Sequence, residues 1–211
     1  ESAASFLVNY CTAHHGLIYC GKVKPKEIVL ILGASGGVGV AAIDIARALG
    51  AEVIAAASTK KKRDACLALG ADHVLDYSKK DWRKDLQKIL DGRPLNVVYD
   101  PVGGAYAEPA LRSLGPDGRF LVVGFATGDI PKVPLNLALL KRCSIIGVNW
   151  GGYLAANPNQ SRPVMTTLLE WIATGRINPT AGETLPLKKA GSALMKMLNR
   201  KAIGKIVVTM Q

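Results

Sequence analysis

Four closely spaced glycines are the residues whose spacing points most clearly to chemistry. Gly33, Gly36 and Gly39 stand three residues apart, and Gly37 lies beside the second of them. A residue without a side chain lets the backbone turn tightly or approach a bound group closely, and the N–H groups that open a following helix attract an anion. This spacing indicates a loop that binds phosphate or pyrophosphate.

The residues around the glycines strengthen this interpretation. Residues 28–32 are an apolar run typical of a buried strand, the apolar side chains after Gly39 recur with helical periodicity, and Gly50 stands where that helix would end. A strand, a glycine loop and a helix in that order are the fingerprint of a dinucleotide-binding site. The alternative is a tight turn between strand and helix that binds nothing, and the surrounding order favours the binding site.

The end of the second predicted strand, residues 53–57, distinguishes between two dinucleotides. In an NAD-selective site, an Asp or Glu about 20 residues beyond the glycines bonds the adenosine ribose. Here Ser58 and Thr59 follow the strand, and four cations follow them at residues 60–63. Cations at a helix N-terminus oppose the helix dipole, which favours a bound phosphate. We therefore expect selectivity for NADP(H), with the alternative that some or all of the four cations are ordinary surface.

The composition is that of a globular chain with an excess of positive charge. The chain has 211 residues, of which 49% are hydrophobic and 20% charged, enough for one sizeable core and part of another. The net charge of +11 suits an anionic ligand, a nucleic acid or an acidic partner. Only 6% of the residues are aromatic and they do not alternate with the cations, which argues against nucleic-acid binding.

The cysteines and the apolar runs bear on metals, disulfides and membranes. Cysteines occur at positions 11, 20, 66 and 143, without close pairs or a histidine at metal-ligand spacing, so we expect no zinc site. The count would allow two disulfides, but free thiols are the simpler expectation for an intracellular enzyme. The apolar run at residues 28–43 contains four glycines and is shorter than the roughly 20 residues that span a bilayer, so we expect no transmembrane helix.

The start of the sequence bears on processing and compartment. The chain opens on Glu1 inside a predicted helix and lacks the basic start and cleavage pattern of a secretory signal, as a fragment or a processed chain would. We expect a cytoplasmic protein, with the mitochondrial matrix left open as an alternative.

Six short apolar segments alternate with helical patterns along the first 150 residues. After an opening helix over much of residues 3–19, the segments lie at 27–32, 53–57, 74–76, 96–100, 119–123 and 144–148. Parallel crossovers need helices, so this alternation predicts an α/β, doubly wound, six-stranded parallel sheet, the Rossmann dinucleotide-binding fold. The cofactor would lie where the two three-stranded halves meet.

The composition changes after residue 150. Residues 157–163 form a turn-rich linker, which divides a dinucleotide-binding domain at 1–160 from a C-terminal segment at 161–211. In that segment we predict helices over 164–175 and 189–199, a short extended piece at 185–187 and a strand at 205–210. These elements do not extend the six-strand pattern, so the segment looks like part of another unit.

Six short motifs in order give the chain a resemblance to the zinc-independent quinone oxidoreductase branch of the medium-chain dehydrogenase/reductase superfamily. They are NYCTA at 9–13, GASGGVG at 33–39, LGAD at 69–72, DPVGG at 100–104, GVNWG at 147–151 and GKIV at 204–207. The resemblance covers essentially the whole chain. It implies that the C-terminal segment completes a substrate domain that precedes the opening helix in the family and is almost entirely absent here. Where family members hold catalytic zinc, its ligands come largely from that absent part.

The resemblance also implies which residues contact each part of NADP(H). The pyrophosphate would be bound by Gly36, Gly37, Val38 and Gly39. The 2′-phosphate and the adenosine ribose would be bound by Ser58, Lys62, Tyr77 and, from the returning tail, Arg200. The nicotinamide half would be contacted by Thr12, Gly124, Phe125, Ala126, Val148 and Asn149.

Three of these assignments have a plain alternative, and two positions depart from the family pattern. Thr12 could be an ordinary helix residue, Tyr77 a half-buried aromatic at a strand end, and Arg200 a surface arginine. His14 stands where an aromatic residue is common, and Lys26 replaces a usual turn glycine. Neither departure touches the implied chemistry.

The activity implied by the resemblance is hydride transfer from NADPH to a quinone or to an alkene conjugated to a carbonyl. The cofactor carries that step, so no nucleophile or triad is required, and Tyr153 is a candidate pocket residue. We expect the three histidines to be structural or surface groups. The alternatives are an NADPH-binding module without turnover and a basic nucleic-acid-binding protein. Family members pair the edge of the sixth strand across a two-fold axis, so a homodimer is expected.

Overall fold

The computed structural model describes residues 2–210, and its main body is a parallel sheet. The strands are β1 (Ile28–Ile31), β2 (Glu52–Ala56), β3 (His73–Leu75), β4 (Leu95–Asp100), β5 (Leu114–Val122) and β6 (Ser144–Gly147). They lie in the order β3-β2-β1-β4-β5-β6, and all neighbours run parallel. The predicted Rossmann fold is confirmed. The strand order reverses between β1 and β4, so a ligand crevice is expected at their carboxyl ends.

Helices cover both faces of this sheet. They are α1 (Ser2–His14), a π-helix (His15–Cys20), α2 (Gly37–Ala48), α3 (Lys60–Ala68), α4 (Trp82–Leu90), α5 (Ala107–Leu111), α6 (Asn136–Lys141) and α7 (Trp150–Ala156). On β1, Val29 and Ile31 join a buried cluster with α1 and α2, whereas Ile28 and Leu30 join a second cluster with α4 and α5. This two-sided burial explains why β1 is a continuous apolar run.

The opening helix differs from the single helix expected over residues 3–19. It is α-helical only as far as His14 and continues as the π-helix, in which the N–H of Gly21 donates to the carbonyl of Gly16 at 2.8 Å. Gly16 packs closely on the sheet, because a Cβ there would lie 3.0 Å from a ring carbon of Tyr99. Helical periodicity in the sequence does not reveal this change, which depends on a distant strand.

The C-terminal segment contains two helices and a small sheet. Its elements are α8 (Ser161–Ala173), β7 (Ala181–Pro186), α9 (Ala190–Leu198) and β8 (Lys205–Thr209). β7 and β8 pair in parallel as a separate two-stranded sheet, and β7 begins four residues before the extended piece predicted at 185–187. Leu168 of α8 is buried in the same cluster as α1 and α2. The domain boundary at residue 160 stays a prediction. No helix within residues 2–210 is long and apolar enough to cross a bilayer.

Candidate functional site

Three glycines of the loop between β1 and α2 are required by the fold itself. Gly33 has a φ of +57°, and a Cβ there would lie 2.7 Å from Cγ2 of Val102. A Cβ at Gly39 would lie 2.6 Å from two backbone carbonyl oxygens of the same turn. A Cβ at Gly37 would lie 2.8 Å from Nδ2 of Asn9, a buried residue of α1. Local packing therefore accounts for these three positions.

Gly36 is different, because the fold demands a glycine there less strictly than at the other three positions. Its φ of −81° and ψ of 168° are ordinary extended values, and the nearest atom to a Cβ would be the Gly33 carbonyl oxygen at 3.3 Å. Gly36 is the N-cap of α2, and no side chain caps that helix end, whereas Thr59 caps α3. The first N–H groups of a helix lack intrahelical partners. The missing side chain at Gly36 thus leaves a helix N-terminus open to an anion.

Two of the four cations at residues 60–63 are engaged elsewhere. Lys60 pairs with Asp64 on the surface at 2.8 Å. Arg63 pairs with Asp76 at 2.9 Å, in a bridge whose side chains are less than one-fifth exposed. It also donates to the carbonyl of Ala57 at 3.1 Å, so it ties the end of β2 to the end of β3. Arg63 is therefore a structural residue.

Lys62 and Arg200 meet beside the glycine loop. The Lys62 ammonium donates to the carbonyl oxygen of Arg200 at 2.5 Å, and Arg200 itself adopts a left-handed φ of +54°. Burial lowers the pKa of Lys62, and the nearby charge of Arg200 lowers it further. Two cations held together oppose each other, and an anion between them would relieve that repulsion.

The tail that carries Arg200 is fixed to the glycine loop. The N–H of Gly204 donates to the carbonyl of Ser35 at 2.8 Å, and Gly204 forms an isolated parallel bridge with Gly36. The structure therefore brings the loop after β1, the start of α3 and the C-terminal tail together at one place.

Tyr77 and Ser58 lie at the ends of the neighbouring strands. Tyr77 is half-buried, and its ring meets that of Tyr106 edge-on with 4.6 Å between centroids. Burial raises the pKa of Tyr77 to about 12, Tyr106 adds to this, and Arg200 partly opposes it. Tyr77 thus faces the same region as Arg200. The carbonyl of Ser58 accepts a hydrogen bond from the hydroxyl of Ser78 at 3.4 Å.

Asp100 shapes the turn that lies against the glycine loop. Its buried carboxylate accepts the N–H groups of Val102 at 2.8 Å and Gly103 at 2.9 Å. Burial raises the pKa of Asp100, although these two hydrogen bonds lower it. The DPVGG motif is therefore a structural turn that places Val102 against Gly33.

The residues expected at the nicotinamide half follow the carboxyl ends of β5 and β6, with Thr12 half-buried on α1. The N–H of Ala126 donates to the carbonyl of Pro101 at 3.1 Å, which holds the turn of residues 124–126. The N–H of Val148 donates to the Val122 carbonyl at 2.8 Å. The Asn149 side chain caps α7 by accepting the N–H of Gly152 at 2.9 Å, so its carbonyl oxygen is already engaged.

Tyr153, the candidate pocket residue, belongs to a cluster of rings that the sequence did not indicate. Its ring centroid lies 4.6 Å from that of His15, 4.9 Å from that of Tyr19 and 6.1 Å from that of Trp150. The rings come from the π-helix and from α7, which are far apart in the sequence. Only the folded arrangement joins them.

The described part of the chain offers no ligand set for a metal. Among residues 2–210, no group of three or more His, Cys, Asp or Glu side chains is placed to hold an ion. The four cysteines are free thiols, as expected. These residues do not fit a zinc ion.

Comparison with known proteins identifies the family to which this geometry belongs. The model of the zinc-binding dehydrogenase family matches residues 37–173. The chain is 38% identical, over all of its length, to quinone oxidoreductase-like protein 2 of Bos taurus, and it covers 61% of that protein. It is 33% identical, over 98% of its length, to the homolog from Nematostella vectensis, of which it covers 57%. The chain thus spans roughly three-fifths of the length of these relatives.

Solved structures agree with this similarity. Escherichia coli quinone oxidoreductase complexed with NADPH matches 99% of this chain with a TM-score of 0.89 at 29% identity, and 64% of that enzyme is covered. A mycobacterial protein complexed with NADPH matches 98% with a TM-score of 0.90 at 28% identity, and 63% of it is covered. The chain therefore belongs to the zinc-binding dehydrogenase family of the medium-chain dehydrogenase/reductase superfamily, where it resembles the quinone oxidoreductase-like members.

Proposed function

We propose that this chain is the NADP(H)-binding part of an oxidoreductase that transfers hydride to a quinone or to an alkene conjugated to a carbonyl. The observation that carries the proposal is Gly36, where the backbone conformation suits any residue and a Cβ would meet one carbonyl oxygen at 3.3 Å, yet the sequence has no side chain directly before an uncapped helix N-terminus. The NADPH held by two similar solved proteins supports the choice of cofactor. The names of the curated relatives support the reaction class.

The phosphate groups of NADP(H) fit the charges of the site. The pyrophosphate would lie at residues 36–39, where the helix dipole and free N–H groups favour an anion. The 2′-phosphate would lie between Lys62 and Arg200, beside Ser58, with Tyr77 at the adenosine ribose. Charge-assisted hydrogen bonds are roughly twice as strong as neutral ones, so these two cations favour NADP(H) over NAD(H).

The chain's own contribution to the reaction is positional. Bound NADPH supplies the hydride, and the residues of this chain orient its ring and exclude water on one side. Thr12, the turn 124–126, Val148 and Asn149 would surround the nicotinamide half. The described residues provide no metal ligand set of their own, so this part of the protein contributes binding and orientation only. The proton for the reduced acceptor would come from solvent or from the remainder of the protein.

A homodimer through the edge of β6 is part of this proposal. Ile145 of β6 is 42% exposed, and Leu139 and Leu140 of the adjacent α6 are 79% and 71% exposed. An apolar strand edge of this kind is usually paired or covered. Sedimentation equilibrium should give twice the chain mass, and Ile145→Lys should give the monomer mass. A monomeric wild type would contradict this part. The cytoplasmic location stays a prediction.

Calorimetric titration with NADPH and NADH tests the cofactor. We expect NADPH to bind more tightly than NADH. The Lys62→Ala substitution should lower the affinity for NADPH by about 10- to 100-fold, because one charge-assisted hydrogen bond is lost. The affinity for NADH should not change. Lys60→Ala is the matched control, because Lys60 lies in the same helical turn and pairs with Asp64 instead. Equal affinities for the two nucleotides, or an NADPH affinity that Lys62→Ala leaves unchanged, would contradict the proposal.

A further inference from the structure

The π-helix contacts the turn that joins β6 to α7. A Cβ at Gly16 would lie 3.2 Å from Cγ1 of Val148, so the backbone of the π-helix rests on that side chain. At the other end of the π-helix, the Cys20 thiol donates to the carbonyl oxygen of Gly147 across 3.9 Å. The π-helix therefore supports the last residue of β6, Gly147, and the first residue of the turn, Val148.

His15 extends the same support into α7. Its ring centroid lies 5.5 Å from that of Trp150 and 4.6 Å from that of Tyr153, and it stacks on Tyr19 at 5.0 Å with 15° between planes. His15 is only 5% exposed. No residue of α7 is itself buried, so these ring contacts are an important part of its attachment to the sheet.

The π-helical geometry is what brings these contacts together. Hydrogen bonds from residue i to i+5 widen the helical turn, and π-helical segments occur frequently at functional sites. Here the wide turn brings Nε2 of His15 within 3.5 Å of the Cys20 sulfur, although five positions separate them. His15 and Cys20 can therefore face the same segment, residues 147–153, from one short element.

We propose that His15 is a positioning residue for the nicotinamide half of the cofactor. By packing on Trp150 and Tyr153 it fixes the turn that carries Val148 and Asn149, and it does so without touching the cofactor. This inference rests on the proposed function, because it requires Val148 and Asn149 to flank the nicotinamide ring. The π-helix would then serve to position the cofactor in addition to packing in the core.

A pair of ligands separates this role from a merely structural one. 2′,5′-ADP carries the adenosine and the 2′-phosphate but no nicotinamide, so only NADPH reports on the β6–α7 turn. In His15→Ala we expect the Kd of NADPH to rise about three- to tenfold, the range expected for loss of an aromatic pair, while the Kd of 2′,5′-ADP stays the same. His15→Phe keeps a ring in place and should restore NADPH binding.

Two further variants complete the test by calorimetry. His14→Ala is the matched control, because His14 is the preceding residue but packs on Trp171 of α8, with centroids 6.1 Å apart; it should leave the ratio of the two Kd values unchanged. Tyr153→Ala removes the same contact from the side of α7, and should raise the NADPH Kd even where His15→Ala does not fold.

The outcomes distinguish this inference from the proposed function. The positioning role is overturned, while the cofactor site stands, if Tyr153→Ala, and His15→Ala where that variant folds, weaken the binding of NADPH and 2′,5′-ADP equally. It is also overturned if they weaken the binding of neither ligand. The same holds if the wild type binds 2′,5′-ADP as tightly as NADPH. A wild type that binds neither ligand overturns both.

Discussion

Alanine substitutions at Gly36 and Gly39 separate cofactor binding from folding, although the two residues stand in one loop. At Gly39 a Cβ would lie 2.6 Å from two backbone carbonyl oxygens, which cannot move without breaking the turn. At Gly36 the backbone conformation suits any residue, and the nearest atom is a single carbonyl oxygen at 3.3 Å. The first substitution therefore strains the fold, and the second mainly fills space beside the helix N-terminus.

The expected magnitudes follow from these distances. Overpacking costs about 1–3 kcal/mol, so Gly39→Ala should lower the free energy of unfolding by that amount. In a chain of this size the melting temperature would fall by roughly 2–12 °C. Gly36→Ala should cost about 1 kcal/mol, because alanine is a poorer N-cap than glycine and the Gly33 carbonyl oxygen must move slightly to admit the methyl group. Its affinity for NADPH should fall at least about tenfold, since the new methyl group lies where the pyrophosphate would approach.

Thermal unfolding followed by circular dichroism measures the first effect, and calorimetric titration with NADPH measures the second. Each variant serves as the control for the other. A Gly36→Ala protein that binds NADPH as the wild type does would refute the argument that this glycine serves a ligand. A Gly39→Ala protein with an unchanged melting temperature would refute the steric reasoning for the whole loop.

Three further predictions concern residues outside the proposed cofactor site. Arg63→Gln should lower the free energy of unfolding by about 1–3 kcal/mol in a urea titration, because it removes the cation that pairs with the half-buried Asp76, while the ratio of NADPH to NADH affinity stays constant. Burial, with a smaller effect from the charge of the neighbouring histidine, lowers the pKa of His14 to about 4. Unfolding restores the usual pKa near 6.5, so the free energy of unfolding should fall as the pH drops from about 6.5 to 4. After allowance for partial exposure, the loss at pH 5 should be about 1–2 kcal/mol. His14→Gln should flatten that pH profile. Burial is the largest single effect on the pKa of Glu27, and it raises that pKa. The hydrogen bonds and charge of Arg119, together with the hydrogen bond from the Lys24 N–H, outweigh burial, so the net pKa of Glu27 is lowered. The stabilisation from this pair is therefore present above about pH 4.3 and lost in acid, so Glu27→Gln should destabilise the protein at pH 7 and approach the wild type at pH 3.

The strands could be located because each contains a short apolar run near turn residues, a pattern that burial on both faces favours in the central strands, but β5 begins at Leu114, five residues before the predicted segment at 119–123. The predicted segment at 53–57 corresponds to Glu52–Ala56, and that at 144–148 to Ser144–Gly147. β7 was harder, because Ala181–Pro186 alternates in burial and contains Gly and Pro. Its extended form depends on pairing with β8, which lies later in the chain.

The candidate site could be predicted only where its residues are close in sequence. The glycine spacing indicated the loop, but it did not separate Gly36 from the glycines that packing requires, since that distinction depends on Val102 and Asn9. The charges at residues 60–63 did not by themselves distinguish the four cations, and only the family resemblance indicated Lys62. Their roles depend on partners such as Asp76 and Arg200, which only the folded chain places beside them.

The C-terminal tail is better regarded as part of the cofactor site than as an appendage of another unit. Lys62 donates to a backbone carbonyl 138 residues away, at Arg200, and Gly204 is hydrogen-bonded to Ser35 in the glycine loop. The proposed pyrophosphate site is formed by residues that are adjacent in the sequence, in the glycine loop. The second cation beside the proposed 2′-phosphate position comes from the tail. Since selectivity between NADP(H) and NAD(H) depends on the charges around that phosphate, we expect the tail to contribute to the choice of cofactor and the first loop to its general affinity. Substitutions in the tail should therefore change the ratio of the NADPH and NADH affinities more than they change the stability of the fold. They should also change that ratio more than substitutions in the glycine loop do.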